Sequence, residues 1–201
     1  MLFRFEAEAL GLAWHPNVVE VLDHGMLPDG TSYMVMEALA GESLAERLAR
    51  GPLPRAEVAQ LGLELTAALA AVHAAGVVHR DVKPDNVFLV AGTHLRVKLL
   101  DFGIAKVEWE ELRITHSGGP LGTPGFMAPE QERGEDVTAA ADVYSLAAVL
   151  RAASEAPVPG AAPTELEQIL ERAMLADPAA RPSLRELAAV LAALCPAAQP
   201  G

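Results

Sequence analysis

The sequence predicts an α+β domain in which helices dominate. Apolar residues make up 51 % of the chain but aromatic residues only 4 %, so the core must consist mainly of Ala, Leu and Val, which suits closely packed helices. The few strand-like runs come first and most helix signals come later, an order typical of α+β folds. At 201 residues the chain is long enough for one well-buried domain.

Two pairs of short strands are expected. Residues 18–22 and 33–36 have strand composition and are separated by Asp23-His24-Gly25 and the turn Pro28-Asp29-Gly30, which predicts an antiparallel pair. Residues 87–90 and 95–100 are separated only by a short turn at 91–93 and form the second pair.

Helices are predicted from caps and from apolar spacing. Residues 3–13 have helical composition and end at the turn His15-Pro16-Asn17. Residues 54–76 carry apolar residues at helical spacing and end at a glycine, and residues 138–153 form a second buried helix. Three later starts have the capping-box pattern: Ser43 with Glu46, Thr164 with Glu167, and Ser183 with Glu186.

Charge and composition exclude several classes of function. The formal net charge is −12, which repels phosphate backbones and anionic lipid, so nucleic acid is not an expected partner. The single cysteine, Cys195, cannot form an internal disulfide and is expected to be inert. No apolar run is long enough for a membrane helix, and the expected location is the cytoplasm.

Three motifs carry the expected chemistry. The run His79-Arg80-Asp81-Val82-Lys83-Pro84-Asp85-Asn86 places an acid, a base and an amide in one loop between the long helix and a strand. Asp101-Phe102-Gly103 follows the next strand, and Ala128-Pro129-Glu130 comes later. Any one of these motifs could be a plain polar loop, but their order and spacing together are specific.

At these motifs the chain resembles the protein kinase family, from about residue 6 to residue 194. The resemblance implies a kinase-like fold, chiefly the helical C-lobe. Residues 1–195 would form a partial kinase domain, in which 1–39 hold the αC helix, the last N-lobe strands and the hinge, and 40–195 form the C-lobe. Residues 196–201 would be a flexible tail.

The resemblance assigns roles in phosphoryl transfer from ATP. Asp81 would accept or orient the proton of the attacking hydroxyl, and Lys83 would place a positive charge beside the transferring group. Asn86 and Asp101 would hold Mg²⁺ through oxygen ligands. Lys83, together with Thr123 in Gly122-Thr123-Pro124, indicates Ser and Thr hydroxyls of proteins as substrates.

The resemblance also implies an adenine site. Met36 would be the gatekeeper, and backbone groups of Glu37 and Leu39 would be available to pair with adenine. Phe88 would lie under the ring. For this stretch alone, a buried strand end is the simpler interpretation, and Phe88 is equally a core residue.

Glu6 matches the αC glutamate of the family by its distance from His15, with Glu8 as the neighbouring candidate. Its expected partner, a strand lysine, is absent, because no Lys occurs before Lys83. The Gly-rich loop of the family is also absent before Glu6. The chain is therefore expected to lack the first N-lobe strands and to have little activity by itself.

Other residues resemble structural and regulatory positions of the family. Glu130 and Arg181 match a buried ion pair, and Asp142 matches a residue that binds the backbone of the catalytic loop. Arg80 would receive a phosphate on the activation segment, where Thr115 and Ser117 are candidate autophosphorylation sites; the alternative is two ordinary loop hydroxyls.

A proline-rich stretch at 154–163 predicts a linker where the family usually has its αG helix, which puts substrate recruitment in doubt. Two other functions therefore stay open: a kinase-like scaffold without catalysis, and a small-molecule phosphotransferase. The second is less favoured because residues 122–130 resemble a peptide-positioning segment.

Overall fold

A computed structural model describes residues 14–29, 31–92, 95–101, 125–157, 160 and 162–195. The strands are β1 (Val21–Met26), β2 (Ser32–Met36), β3 (Gly41–Ser43), β4 (Val87–Val90) and β5 (Val97–Leu99). The helices are α1 (Leu44–Leu48), α2 (Arg55–Ala74), α3 (Pro129–Glu132), α4 (Ala139–Ala153), α5 (Glu165–Ala173) and α6 (Leu184–Leu194). The predicted α+β class is confirmed, whereas the predicted helix at 3–13 lies outside the described residues.

The first predicted strand pair is present, but its first strand is displaced along the chain. β1 pairs antiparallel with β2 and contains a bulge between Val21 and Asp23, so the predicted separator at 23–25 is part of the strand. Val18 instead forms a parallel bridge with Leu99 of β5. Val18 and Val19 are buried at 4 % and 5 % exposure. The segment before β1 therefore belongs to the core shared with the later strands.

The second sheet has the order β3-β4-β5, with both pairs antiparallel. Gly41 begins β3 with a φ of +149°. A Cβ at this position would lie 2.0 Å from the carbonyl oxygen of Leu89 on β4. Only glycine therefore allows the two backbones to approach this closely.

Helix α2 forms the centre of the helical part and packs against α4 and α6. Nine of its residues are buried. At Gly62 the three helices approach closely, because an added Cβ would lie 2.7 Å from Leu191 of α6 and 3.0 Å from Leu150 of α4. Small residues in these helices permit such contact, in line with the low aromatic content.

All three predicted capping boxes are present, at Ser43, Thr164 and Ser183. Each hydroxyl accepts from the backbone amide three residues later, and the Glu at that position accepts from the cap backbone. The described part of the 154–163 stretch contains neither helix nor strand. No helix in the described ranges is both long enough and apolar enough to cross a membrane.

Candidate active site

The loop of residues 79–86, which the sequence predicts to be the catalytic loop, is held in place by the carboxylate of Asp142 in α4. Its Oδ2 accepts from the backbone amide of His79 at 2.8 Å, and its Oδ1 accepts from that of Arg80 at 2.8 Å. His73 of α2 contacts Oδ2 at 2.7 Å. Asp142 is fully buried, so these partners replace the water that the carboxylate loses. The predicted contact with loop backbone is confirmed.

Arg80 has a backbone φ of +64°, an uncommon conformation for a residue with a side chain. Its carbonyl accepts from Nε2 of Gln131 at 2.9 Å, so both of its backbone polar groups are bonded. The preceding His79 is buried, and its Nε2 contacts the carbonyl of Leu100 at 2.8 Å. Burial lowers the pKa of His79, although the nearby Asp142 opposes the shift. The neutral ring of His79 therefore holds the loop at a fixed distance from the end of β5.

Asp81, Lys83 and Asn86 meet around one carboxylate oxygen. Oδ2 of Asp81 accepts from Nδ2 of Asn86 at 3.0 Å and lies 3.2 Å from Nζ of Lys83. Nδ2 of Asn86 also donates to the backbone carbonyl of Asp81 at 2.9 Å. The side chains of Asp81 and Lys83 keep 14 % and 21 % exposure. The carboxylate is thus held in place but can still be reached from solvent.

Asp101 is separated from the end of β5 by one residue, Leu100, which is bonded to Asn86. The amide of Leu100 donates to the carbonyl of Asn86 at 2.8 Å. Asp101 itself is exposed and has a φ of +42°, so the chain turns sharply here. Residues 102–103 of the motif lie outside the described residues. The structure therefore brings the two predicted metal ligands to the same end of β4 and β5.

A shallow recess adjoins this cluster. It is lined by Asp81 and Lys83 on one side and by Phe126, Met127 and Ser145 on the other. The recess lies between the loop of residues 79–86 and the segment that leads into α3, beside Asp81.

The predicted adenine-binding residues lie at the end of β2 and in β4. Met36 is 38 % exposed, and Leu39 is half-buried and packs against the core. Phe88 is half-buried in the middle of β4, opposite Ser43 and Lys98. Each of these residues keeps part of its surface exposed.

The predicted hinge offers backbone groups of Glu37, and one of these groups is bonded within the protein. The backbone amide of Glu37 donates to the carbonyl of Glu20 at 3.0 Å, so it is already used within the protein. This bond between Glu37 and Glu20 continues the antiparallel pairing of the chain beyond β1 and β2. Partial burial raises the pKa of the Glu37 carboxyl, but bonds from Lys98 and from the Glu20 amide outweigh it and hold the pKa below its usual range.

The predicted pair between Glu130 and Arg181 is confirmed. The two side chains form a bidentate contact, with nitrogen to oxygen distances of 2.6 and 2.7 Å, and are 3 % and 1 % exposed. Arg181 also donates to the carbonyls of Ala140 and Leu175 and lies over the ring of Tyr144. Burial raises the pKa of Glu130, but the bond from Arg181, a backbone bond and the charges of Arg181 and Arg133 together hold the pKa below its usual range.

Several predicted functional residues lie outside the described residues. These are Glu6, Glu8, Thr115, Ser117 and Thr123. Conversely, the motifs gave no signal for Gln131 and Lys98, which contact the catalytic loop and the hinge through bonds between distant parts of the chain. The only hint in the sequence for Gln131 is its position directly after the Ala-Pro-Glu motif.

Comparison with known proteins agrees with the geometry of the site. Residues 2–176 match the protein kinase domain, so the chain belongs to the protein kinase family. It is 42 % identical over 149 residues to the serine/threonine-protein kinase Pkn1 of Myxococcus xanthus, covering 73 % of this chain and 21 % of Pkn1. It is 38 % identical over 181 residues to the serine/threonine-protein kinase PknD of Mycobacterium tuberculosis, covering 89 % of this chain and 26 % of PknD.

A third relative is the serine/threonine-protein kinase PknA of Mycobacterium tuberculosis. It is 39 % identical over 194 residues, which are 92 % of this chain and 44 % of PknA. The chain thus spans less than half of the length of each of these relatives. All three relatives are named serine/threonine-protein kinases.

Proposed function

We propose that this chain provides the catalytic centre of a serine/threonine protein kinase, which transfers the γ-phosphate of ATP to a Ser or Thr hydroxyl of a protein. The observation that carries the proposal is the cluster of Asp81, Lys83 and Asn86, joined by contacts of 2.9 to 3.2 Å. Asp101 follows at the adjacent strand end. The names of the relatives support Ser and Thr as acceptors.

Asp81 is suited to receive a proton. Asn86 and Lys83 both contact its Oδ2, so the carboxylate is fixed before a substrate arrives. The substrate oxygen forms a bond to the γ-phosphorus, the bond from that phosphorus to the bridging oxygen breaks, and the hydroxyl proton passes to Asp81. Lys83 adds positive charge where the transferred group carries negative charge.

Asn86 and Asp101 fit a magnesium ion. Nδ2 of Asn86 bonds to Asp81, which orients the amide and leaves its oxygen as the ligand atom. An amide oxygen and a carboxylate are hard donors, and Mg²⁺ in kinases is typically held by few protein ligands together with phosphates and water. The ion would neutralise phosphate charge there.

We assign the adenine of ATP to Met36, Leu39 and Phe88, together with the carbonyl of Glu37, since its amide is used internally. Glu6 is retained as the αC glutamate. Autophosphorylation at Thr115 or Ser117 and a cytoplasmic location also stay predictions.

Two substitutions test the proposal, each made in the protein at the full length that its gene encodes. Asp81→Asn and Asp101→Asn should each lower phosphoryl transfer from radiolabelled ATP by at least ~10²-fold, because one removes the proton acceptor and the other a metal ligand. The matched control is Asp85→Asn, an exposed neighbour in the same loop, which should keep parental activity. Near-parental turnover by either variant would contradict the assignment.

A further inference from the structure

Lys98 lies in β5 and joins three segments that are far apart in the sequence. Its ammonium group forms an ion pair with the carboxylate of Glu37, at the end of β2, and donates to the carbonyl of Val18 at 3.2 Å. The side chains of Lys98 and Glu37 are only 18 % and 24 % exposed. The pair is therefore partly buried, at the boundary between the hairpin and the second sheet.

The carboxylate of Glu37 has a second fixed partner. The backbone amide of Glu20 donates to its Oε1 at 2.8 Å, while the amide of Glu37 donates to the carbonyl of Glu20 at 3.0 Å. Residues 20 and 37 are thus linked in both directions, and Lys98 closes the arrangement from β5. We call these three residues the hinge clamp.

The position of Lys98 in β5 relates the hinge clamp to the proposed ATP site. Lys98 is opposite Phe88 in the pairing of β4 with β5 and precedes Asp101 by three residues. Phe88 and the hinge are the proposed contacts of adenine, and Asp101 is a proposed metal ligand. One cation therefore connects the parts of the molecule that would hold the two ends of ATP.

Simple surface pairing does not account for this arrangement. The pair of Arg50 with Glu42 is 57 % and 34 % exposed, and such pairs typically contribute little to stability. Lys98 instead has a half-buried carboxylate and a backbone carbonyl as partners. A lysine held in this way restrains the relative position of its partners.

We propose that Lys98 is a positioning residue that keeps the hinge in register with the strand leading to Asp101, so that adenine and the phosphate end of ATP are aligned together. The proposal rests on the kinase function proposed above. Lys98 need not touch ATP, because it acts through Glu37 and through β5.

The kinetic test uses Lys98→Met in the full-length protein. Loss of the cation should release the Glu37 carboxylate and loosen the hinge, while the cluster around Asp81 stays in place. KM for ATP is therefore expected to rise about 5- to 20-fold, with kcat changed less than about threefold. Lys98→Arg should restore at least half of the difference, and Arg50→Met, which breaks an exposed pair, should remain near parental.

A second readout does not depend on catalysis. Amide hydrogen exchange at Glu20 and Glu37 should become about tenfold faster in Lys98→Met, but not in Arg50→Met, because the Glu20 amide donates to the released carboxylate. Unchanged KM with unchanged exchange would overturn the proposal, as would an equal loss of kcat and stability without a change in KM. A parental protein without phosphoryl transfer would instead refute the proposed function, and exchange would still decide whether the hinge clamp exists.

Discussion

Glu130 and Arg181 form a deeply buried ion pair. Both side chains are at most 3 % exposed, and each nitrogen of the Arg181 guanidinium has a hydrogen-bond partner. Removing one member would leave the other charged and buried, which typically costs about 3–5 kcal/mol. The pair joins α3 to the turn before α6, so this energy stabilises the position of α3 relative to the later helices.

We expect Arg181→Met to lower the free energy of unfolding by about 3–5 kcal/mol, as measured by urea denaturation. Glu130→Gln should also destabilise, and the double variant should lose clearly less than the sum of the two. Arg172→Met, which breaks an exposed pair with Glu186, is the control and should change stability by less than about 1 kcal/mol. Additive losses in the double variant would argue against a coupled pair.

The pair also predicts how stability depends on pH. The pKa of Glu130 is lower in the folded state than its ordinary value, so its contribution is fully present above the ordinary glutamate pKa of about 4.3. It is lost as the pH falls through the folded-state pKa. In Glu130→Gln this acid-dependent part of the stability should be smaller than in the parent.

At the scale of helices and strands, Gly62 decides how closely α2 can approach its neighbours. In an exposed helix, Ala in place of Gly would stabilise by about 1 kcal/mol. Here the new methyl group would lie 2.7 Å from Leu191 and 3.0 Å from Leu150, both fully buried. Since these side chains have little room to move, overpacking should outweigh the gain in helix propensity.

We therefore expect Gly62→Ala to lower the unfolding free energy by about 1–3 kcal/mol, as determined by chemical denaturation. Adding Leu191→Val should recover part of the loss, because it shortens the side chain nearest to the new methyl. Gly92→Ala serves as the control, since nothing lies within 4 Å of a Cβ at that position. A stabilised Gly62→Ala variant would show that α6 shifts freely.

Elements specified by neighbouring residues could be predicted from the sequence, and those specified by distant contacts could not. Ser43, Thr164 and Ser183 mark helix starts correctly because a capping box involves only four residues. The predicted start of β1 was wrong because Val18 bridges to Leu99, and no local pattern encodes that partner. The site follows the same rule: Asp81 and Asn86 lie in one motif, whereas Lys98 and Glu37 are joined only in the fold.

At the scale of the whole molecule, the segment before β1 is attached to the helical part through Asn17. Its Nδ2 donates to Glu64 of α2 at 2.8 Å and to the carbonyl of Val97 at 2.9 Å. The same Glu64 oxygen accepts from the amide of Val97 at 2.7 Å. Backbone bonds between Val19 and Leu99, and between Leu99 and Asn17, continue the junction. The hairpin is thus held against the part that carries the catalytic loop.

Asn17→Ala should loosen this junction without unfolding the helices. It removes the two side-chain bonds that connect the hairpin segment with α2 and β5, so amide exchange at Val19 and Leu99 should become faster by about tenfold or more, while exchange within α4 stays parental. The control is Gln60→Ala, because Gln60 donates to the other oxygen of Glu64 from within the same helix and makes no contact across the junction through that bond. If Asn17→Ala and Gln60→Ala gave equal exchange, the attachment would depend on the backbone bonds alone; if α4 also lost protection, hairpin and helices would unfold as one cooperative unit.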